Sequence, residues 1–425
     1  MSFSSLGLSP ALVHAALEHA YLEPSAVQKM TIPAVLAGQD VLVSAQTGSG
    51  KTAAFCLPLL HLLHAKPPSS PRMVQALILV PTRELAAQVG DTLRALAQHL
   101  PHPVKLAVLF GGVSINPQML HLRGGADIVI STPGRLLDLV EQNALKLGDV
   151  RKLVLDEADR LLDLGFSEEL GRILALLPQQ RQNLFFSATI STEVEALAQS
   201  LLREPARIAI MPTPVSAPDI TQRAFVVDAT QRTQLLRHLI TTQEWSRVLV
   251  FVATKYAAEL VAVKLRRAGM NAEPFHGDLS QGKRSQVLMD FRASRVKVVI
   301  ATDVAARGID ISELPVVVNY DLPRSSDDYT HRIGRTGRAG EAGTAISFIC
   351  ADSANEAHFR LIEQRQQKKV AREIVIGFEP RPSVTASAGA MAREQENVVS
   401  DPHGGIKGKR PNKKDKLRAL ANSAT

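Results

Sequence analysis

Short apolar runs alternate with longer amphipathic segments through the first half of the chain. The runs, rich in Val, Ile and Leu, are residues 40–44, 76–80, 105–110, 127–131, 152–156 and 183–187. Segments such as 84–99 and 192–202 lie between them and predict helices. Near-continuous apolar strands separated by helices are typical of a parallel sheet covered on both faces. The pattern therefore predicts an α/β domain that binds its ligands where the strands end.

The alternation is interrupted at residues 211–218, where three prolines occur in eight positions. Since proline fits neither a helix interior nor a central strand, we predict a linker at residues 212–218. Apolar runs then resume at 225–227, 247–252, 296–300, 316–319 and 345–349, which predicts a second α/β domain. From about residue 379 periodicity gives way to Pro, Gly, Ser and Lys, as in disordered segments. The predicted domains are 1–211 and 219–378, followed by a disordered basic tail at 379–425.

Composition narrows the class of protein. With 425 residues, 45% of them hydrophobic, the chain can bury more than one core. No apolar run approaches the roughly 20 residues that span a bilayer, and the first residues lack a secretory signal. Cys56 and Cys350 lie in separate apolar stretches, which favours reduced core thiols over a disulfide or a metal pair. We predict a cytoplasmic protein with no membrane partner.

A glycine-rich loop follows the first apolar run, where residues 45–52 read Ala-Gln-Thr-Gly-Ser-Gly-Lys-Thr. Gly48 and Gly50 would let backbone N–H groups approach phosphate oxygens at a helix start. Lys51 would reach the β and γ phosphates, and Thr52 would ligate Mg²⁺. The general motif has Gly where this chain has Ala45, so a glycine-rich turn with a chance lysine is the alternative.

An acidic motif, Asp-Glu-Ala-Asp at residues 156–159, comes directly after the apolar run 153–155. Asp156 can hold Mg²⁺ through water, and Glu157 can polarise an attacking water as general base. Ser187 and Thr189, at the end of the next apolar run, support the interpretation of residues 156–159 as a functional motif. Together the loop and the acidic motif predict ATP hydrolysis.

The second half contributes the basic segment 331–338, His-Arg-Ile-Gly-Arg-Thr-Gly-Arg. Arg335 and Arg338 are candidate arginine fingers for charge on the γ-phosphate, because a guanidinium offers a fork of donors. A basic patch contacting nucleic acid is the alternative for Arg338 and, more so, for Arg332. The spacing of histidines and cysteines offers no zinc site, so Mg²⁺ at Thr52 and Asp156 is the only metal predicted.

In order, these motifs resemble those of the DEAD-box RNA helicases of superfamily 2, from about residue 3 to 378. The motifs are Gln28 after 21–24, then 45–52, 81–85, 111–112, 132–135, 156–159, 187–189, 250–254, 276–278 with Gln281 and Arg284, 301–310 and 331–338. Residues 1–3 and the basic tail look most like the bacterial RhlE group. The resemblance implies two RecA-like parallel-sheet domains in tandem and an RNA-stimulated ATPase that uses ATP and Mg²⁺.

The resemblance also implies roles on the nucleotide side. Gln28 would read the adenine edge and Phe3 would stack on the base, with Tyr21 as a rival. Further nucleotide contacts would come from Ala45, Gln46, Thr47, Gly48, Ser49, Gly50, Lys51 and Thr52, and from Gly308 and Asp310 in the second domain. Asp159 would link to Ser187 and Thr189 and couple ATP to domain closure. Residues 25–27 read Ser-Ala-Val where the family usually has Thr-Pro-Ile, and Ala20 replaces a usual glycine, which puts nucleotide discrimination in question.

On the RNA side, the resemblance implies a backbone track across both domains and local, non-processive unwinding of short duplexes. The track residues would be Pro81, Thr82, Arg83, Gly112, Thr132, Arg135, Arg284 and Thr302, and Asp303 would help couple the two sites. Contacts to phosphate and 2′-OH would make binding sequence-independent. An ATP-gated RNA clamp or annealing chaperone and a DNA-directed enzyme of the same superfamily stay open as alternatives.

The net charge of +8 is concentrated at the C-terminal end. Residues 401–425 contain seven Lys and Arg against two Asp, a net +5. A basic segment favours polyanionic partners, so this tail could tether the protein to structured RNA or ribosomal particles by counterion release. RNA-decay proteins are further candidate partners. A solvated end that aids solubility is the alternative.

Overall fold

The computed structural model describes residues 2–46, 48–64, 71–210, 220–306, 314–337 and 342–380. Residues Met1–Glu379 form one compact unit. The predicted linker at 212–218 and the tail from residue 381 onward lie outside the described residues.

The first half of this unit is built on a seven-stranded sheet in which every paired strand runs parallel. Its strands are β1 (Val41–Ser44), β2 (Ala76–Leu79), β3 (Leu106–Leu109), β4 (Ile128–Ser131), β5 (Lys152–Leu155), β6 (Gln182–Ser187) and β7 (Ala206–Ala209), in the order β3-β4-β2-β5-β6-β1-β7. Parallel strands need crossover connections, and helices supply them here. This half is therefore a parallel α/β sheet with helices connecting its strands.

Helices lie on both faces of the first sheet. They are a 3₁₀ helix (Phe3–Leu6), α1 (Pro10–Glu18), α2 (Ala26–Leu36), α3 (Lys51–His64), α4 (Arg83–Ala97), α5 (Asn116–His121), α6 (Pro133–Glu141), α7 (Ala158–Asp163), α8 (Ser167–Leu176) and α9 (Thr192–Leu201). The sheet's buried side chains divide into two hydrophobic clusters. One, which includes Val43 and Ile78, packs with residues of α1 to α4; the other, which includes Leu77 and Phe185, packs with residues of α6 to α9. Because successive side chains alternate faces, Leu77 and Ile78 belong to different clusters.

The second half repeats this plan. Its strands are β8 (Ile220–Val227), β9 (Val248–Val252), β10 (Ala272–Phe275), β11 (Val298–Thr302), β12 (Val316–Asn319), β13 (Gly343–Cys350) and β14 (Arg372–Glu373), ordered β10-β11-β9-β12-β13-β8-β14. Its helices are α10 (Arg232–Thr242), α11 (Lys255–Arg267), α12 (Gln281–Arg292), α13 (Asp303–Ala306), α14 (Ser326–Ile333) and α15 (Ser353–Gln366). Counting strands in chain order, the two sheets have the same topology, so each strand of the first has an equivalent in the second.

The predicted fold class, two parallel-sheet α/β domains in tandem, is confirmed. Each apolar run named from the sequence is a strand, to within a few residues at its ends. Three strands were not predicted. β7 and β14 lie at sheet edges, where β7 is largely exposed and β14 is only two residues long, and β10 contains Glu273 and Pro274 in place of a continuous apolar run.

Among the residues that the structure describes, no helix combines the length and apolar character required to cross a membrane. Cys56 is buried and Cys350 half-buried, and both are free thiols.

Candidate functional site

Strand order divides the predicted site residues of the first half into two groups along the edge formed by the carboxyl ends of the strands. The neighbours β1, β6 and β5 lead into the glycine-rich loop, Ser187 and Asp156. The neighbours β2, β4 and β3 lead into Thr82, Thr132 and Gly112. Since all these strands are parallel, the loops lie at the same edge, where open α/β sheets bind ligands. The nucleotide candidates and the nucleic-acid candidates thus occupy adjacent halves of one edge.

The backbone conformation of the glycine-rich loop requires glycine at two positions. Gly48 and Gly50 have φ values of 86° and 94°, a region that side chains other than glycine rarely adopt. A Cβ on Gly50 would lie 2.5 Å from Nε2 of Gln28. That Nε2 donates to the Gly50 carbonyl at 3.2 Å, while Oε1 of Gln28 accepts from the Ser25 N–H at 2.9 Å. Gln28 therefore ties the start of α2 to the loop.

Polar groups in this loop lie at the start of α3. Nζ of Lys51 donates to the Ala45 carbonyl at 2.5 Å, and burial lowers the pKa of Lys51 while the Asp156 carboxylate opposes that shift. The hydroxyl of Ser49 is buried and has no hydrogen-bond partner among the described residues. Gln46 is exposed and Thr52 half-buried. A ligand with phosphate oxygens would supply the missing partner for Ser49 and an anion for Lys51.

Asp156 is buried at the end of β5, and its environment suits a cation. Burial first, and the adjacent Glu157 second, raise the pKa of Asp156 to about 7, against the opposing effect of Lys51. One carboxylate oxygen accepts from the Glu157 N–H at 3.0 Å. A divalent cation would offset the cost of this buried negative charge, and carboxylate and hydroxyl oxygens are the donors that Mg²⁺ prefers. The donor set of Asp156 and Thr52 therefore fits Mg²⁺.

Glu157 has a left-handed backbone, with φ 52° and ψ 52°, at the residue that precedes α7. For a residue other than glycine such a conformation costs on the order of 1–3 kcal/mol and is concentrated at functional sites. Its Oε2 lies 3.3 Å from Nη1 of Arg160, and both side chains are buried. The sequence reasoning missed Arg160, although it directly follows the acidic motif.

The acidic motif is hydrogen-bonded to the end of β6. The N–H and the hydroxyl of Thr189 both donate to one oxygen of Asp159 at 3.0 Å. The Asp159 N–H donates to the Ser187 hydroxyl at 3.3 Å, and that hydroxyl donates to the Thr189 carbonyl at 2.7 Å. Residues 156–159 and 187–189 therefore form one connected network.

The nucleic-acid candidates of the first half are also brought together. Thr82 caps α4 by accepting from the Leu85 N–H at 3.3 Å. The guanidinium of Arg83 covers the backbone of Gly112, where a Cβ would lie 2.3 Å from Nη1. Nη2 of Arg135 donates to the Val113 carbonyl at 2.8 Å. Nη1 of Arg135 is buried without a hydrogen-bond partner in the described part of the chain.

Two further nucleic-acid candidates of this half, Pro81 and Thr132, are buried, and Thr132 immediately precedes α6.

In the second half, Arg284 is buried and contacts the first half of the unit. Its Nε lies 2.8 Å from Oε1 of Glu84, and its guanidinium lies over the Phe275 ring, 4.6 Å from the centroid. Its Nη1 and Nη2 donate to the carbonyls of His276 and Ala305 at 3.3 and 3.4 Å. Glu84, which was not predicted as a site residue, therefore links the two sheets through Arg284.

Asp303 is held by Arg332 through two bonds of 2.6 Å, from Nε and from Nη2. Nη1 of Arg332 donates to Oδ1 of Asn319 at 3.0 Å, and the side chain is 3% exposed. Arg332 is thus an internal residue, and the interpretation of it as part of a basic surface patch is wrong. Thr302, half-buried, directly precedes Asp303 at the end of β11.

α14 lies close to the acidic motif of the first half. Burial first, and then the charge of Arg160, lower the pKa of His331 on α14 to about 4, and Asp159 acts in the opposite direction. Arg335 follows α14 and is buried, and it lines the same cleft as Arg160 and His331. The sequence located His331 within a motif but gave no sign of this contact.

Phe3, the residue predicted to stack on the base, lies in the core of the first half. The Phe3 side chain is 2% exposed and belongs to the hydrophobic cluster that includes Val43, while Tyr21 is half-buried against the same cluster. Stacking of either ring on a base stays a prediction. Thr47, Gly308, Asp310 and Arg338 lie outside the described residues.

Comparison with known proteins agrees with this geometry. The DEAD/DEAH box helicase family matches residues 25–197, and the helicase conserved C-terminal domain matches residues 231–340. The chain is 37% identical over 419 residues to the ATP-dependent rRNA helicase rrp3 of Sclerotinia sclerotiorum, covering 96% of this chain and 85% of that protein. It is 40% identical to the ATP-dependent RNA helicase DeaD of Buchnera aphidicola, covering 87% of this chain but only 60% of that relative's length.

A solved structure shares the fold. S. cerevisiae Dbp5 bound to RNA and ADP BeF3 is similar with a TM-score of 0.77 and 30% sequence identity, over 88% of this chain and 95% of that chain.

Proposed function

This chain belongs to the DEAD-box RNA helicase family, and from that premise we propose that it is an ATP-dependent RNA helicase. It hydrolyses ATP to ADP and phosphate when RNA drives its two domains together, and it locally unwinds short RNA duplexes without processive movement. The observation that carries the proposal is the strand order, which puts the phosphate-binding candidates beside the nucleic-acid candidates at one edge of the first sheet.

On the nucleotide half, Lys51 and the loop N–H groups bind the phosphates, and Gln28 reads the base. Glu157 accepts a proton from the attacking water, and Arg335 and Arg338 stabilise charge on the γ-phosphate. Thr52 and Asp156 would hold Mg²⁺, and the bound ion would supply positive charge against the phosphates. The Ser49 hydroxyl, which is buried without a hydrogen-bond partner among the described residues, and the raised pKa of the buried Asp156 support this assignment, because the ligand would supply a partner for the first and its cation an opposite charge for the second.

On the nucleic-acid half, Thr82, Arg83, Gly112, Thr132 and Arg135 bind the RNA backbone, with Pro81 shaping the track. Support comes from the buried Nη1 of Arg135, which a phosphate oxygen would satisfy. Arg284 and Thr302 extend the track into the second domain, and Asp303 couples the sites. Because ATP and RNA each bind better when both halves are in place, each favours the other's binding.

The Asp159, Ser187 and Thr189 network is suited to transmit the nucleotide state to domain closure. Three hydrogen bonds join Asp159 to Ser187 and Thr189, and a fourth joins Ser187 to Thr189. A bound duplex that cannot follow the closed track then loses base pairs locally, and hydrolysis reopens the domains. Contacts to the backbone alone make this action independent of sequence.

The test is ATP hydrolysis with and without single-stranded RNA, for the wild type and Glu157→Gln, with single-stranded DNA as control. We expect stimulation by RNA alone and a loss of about 10²-fold or more in the variant, the range typical of a lost general base. Glu168→Gln, a charge change on the exposed face of α8, should hydrolyse ATP as the wild type does. Equal stimulation by DNA would overturn the substrate class in favour of a DNA-directed superfamily 2 enzyme.

The alternative activity is an ATP-gated RNA clamp or annealing chaperone. Strand separation measured on a duplex of about ten base pairs distinguishes the two, since a clamp would hydrolyse ATP with little separation. Unwinding of several tens of base pairs by single molecules would contradict the non-processive mechanism.

Several narrower assignments are part of the proposal. The domains are 1–211 and 219–378, joined by the linker 212–218 and followed by the tail 379–425. Within the family, the sequence of residues 1–3 and the basic residues of 401–425 favour the RhlE group. Cytoplasm is the proposed location, and ribosomal particles or RNA-decay proteins are the proposed partners of the protein, with structured RNA or ribosomal particles bound by the tail.

A further inference from the structure

Three side chains outside the candidate site converge on the surface of the first half. His14 and Glu18 are one turn apart on α1, and His99 lies two residues beyond the end of α4. Nε2 of His14 lies 3.6 Å from Oε1 of Glu18, and Nε2 of His99 lies 3.1 Å from Oε2 of Glu18. The two imidazole rings meet edge to face, with centroids 5.3 Å apart.

The spacing of these atoms is close to that of a metal's ligands. One donor atom from each residue lies within 4.8 Å of the other two. A tetrahedral ion at 2.0–2.1 Å from its ligands holds them roughly 3.4 Å apart. Each histidine already lies at about that separation from one oxygen of Glu18, His14 from Oε1 and His99 from Oε2, so a small approach of the side chains would bring the donors around one ion. From this geometry we propose that His14, Glu18 and His99 bind a divalent transition-metal ion such as Zn²⁺.

The donor chemistry selects the class of ion. Two imidazole nitrogens and one carboxylate oxygen suit Zn²⁺, and Ni²⁺ or Cu²⁺ would accept the same set. Mg²⁺ takes oxygen ligands and keeps several waters, so it is excluded from a site with two nitrogens. The site is therefore distinct in chemistry from that of Thr52 and Asp156.

Exposure leaves a fourth ligand position open. The side chains of His14 and Glu18 are 63% and 52% exposed, and that of His99 is 23% exposed. Solvent, or a donor from another molecule, would complete a tetrahedron around the ion. The exposed side chains of His14 and Glu18 can rotate at little cost, so they can close on an ion held against the half-buried His99 without movement of α1.

The bound ion would join α1 to the end of α4. α1 follows the 3₁₀ helix that carries Phe3, and α4 begins beside Thr82 and Arg83. Since the three ligands are brought together only in the folded chain, the ion stabilises the folded state by mass action.

Zn²⁺ binding to the full chain, stripped with EDTA and free of any affinity tag, tests the proposal. Competition against a chromophoric chelator gives the affinity for the wild type, His14→Gln, His99→Gln and His19→Gln. His19 is the matched control, because it is exposed and adjacent to Glu18 but turned toward Tyr21. We expect one tight equivalent in the wild type and His19→Gln, and binding weakened at least 10-fold in the other two variants.

Two further measurements guard against misfolding and nonspecific binding. Without metal, all four proteins should have the same circular dichroism and melting temperature. Zn²⁺ should then raise the melting temperature of the wild type and His19→Gln but not of His99→Gln, and Co²⁺ should give a tetrahedral absorption spectrum in the first two alone. No binding by the wild type, or equal binding by all four proteins, would overturn the proposal.

Discussion

At the scale of single residues, burial and neighbouring charge decide how His331 titrates. Its pKa falls from an ordinary 6.5 to about 4, first because the ring is buried and then because Arg160 is close, with Arg335 adding to the effect and Asp159 and Asp328 opposing it. The ring is therefore neutral at pH 7. In the unfolded chain it would take up a proton at about pH 6.5.

This difference predicts a loss of stability in mild acid. Between pH 6.5 and about 4 the unfolded chain binds a proton at this site that the folded chain does not, so stability falls as pH falls through that window. The contribution is at most about 3 kcal/mol. Urea unfolding from pH 8 to 4.5 should show a shallower pH dependence for His331→Gln than for the wild type. Identical slopes would mean that His331 titrates normally in the folded state.

Gly50 is a second residue whose environment leads to a prediction. Alanine there would be strained at φ 94° and would lie 2.5 Å from Gln28. We expect Gly50→Ala to lower unfolding stability by about 1–3 kcal/mol and to weaken ADP binding by at least 10-fold, since Gln28 would have to move. Gly171→Ala is the control, because Gly171 lies in α8 with free space around its Cα. Helix propensity should leave that variant at least as stable as the wild type.

At the scale of elements, helix starts serve both the fold and the site. Thr82 lies between β2 and α4, caps the helix and is a proposed RNA ligand. The capping side chain accepts a hydrogen bond from a backbone N–H that would otherwise have no partner. The positive end of the helix dipole favours a nearby phosphate. Thr82 is therefore both the cap of α4 and a proposed RNA ligand, and substitutions can separate these two roles.

Three substitutions of Thr82 make that separation. Thr82→Ala should cost about 1 kcal/mol of stability, while Thr82→Ser and Thr82→Asp should keep the cap. Thr82→Asp should nevertheless weaken RNA binding strongly, because its carboxylate would repel the backbone phosphates. Urea unfolding and fluorescence anisotropy with single-stranded RNA measure the two effects. Wild-type RNA affinity in Thr82→Asp would show that Thr82 has no place on the RNA track.

At the scale of the whole molecule, the pair Glu84–Arg284 joins the two sheets. The side chains are 9% and 3% exposed, and Nε of Arg284 lies 2.8 Å from the carboxylate. Removing one partner of such a pair leaves a buried charge without compensation, at a cost of about 3–5 kcal/mol. The pair therefore favours the arrangement in which α4 of the first half contacts α12 of the second.

Substituting this pair should weaken the coupling between ATP and RNA. Glu84→Gln and Arg284→Met should each reduce the factor by which a nonhydrolysable ATP analogue tightens RNA binding, by 10-fold or more. In the double variant, the loss of coupling free energy should be smaller than the sum of the losses in the two single variants, because no unpaired charge is then left. Lys283→Met is the matched control, because Lys283 is adjacent on α12 but pairs with Glu273 of the same half. Strict additivity would mean that the two side chains act independently.

Much of this protein follows from its sequence, because local chemistry fixes it. Near-continuous apolar runs identified eleven of the fourteen strands in the described part of the chain, and the motifs located the glycine-rich loop, the acidic motif and the basic segment. β7, β10 and β14 were missed because edge position and a proline removed the apolar signal on which the prediction depends.

Tertiary structure alone decided which distant residues meet. Glu84 and Arg284 are 200 positions apart, and His99 is 85 positions from His14, so no spacing rule could pair them. The proposed site at His14, Glu18 and His99 could not be predicted from the sequence for that reason. Nor could the burial of Arg332 or the lowered pKa of His331. Desolvation and charge pairing depend on which surfaces pack together, and that is settled only when the sheets and helices have assembled.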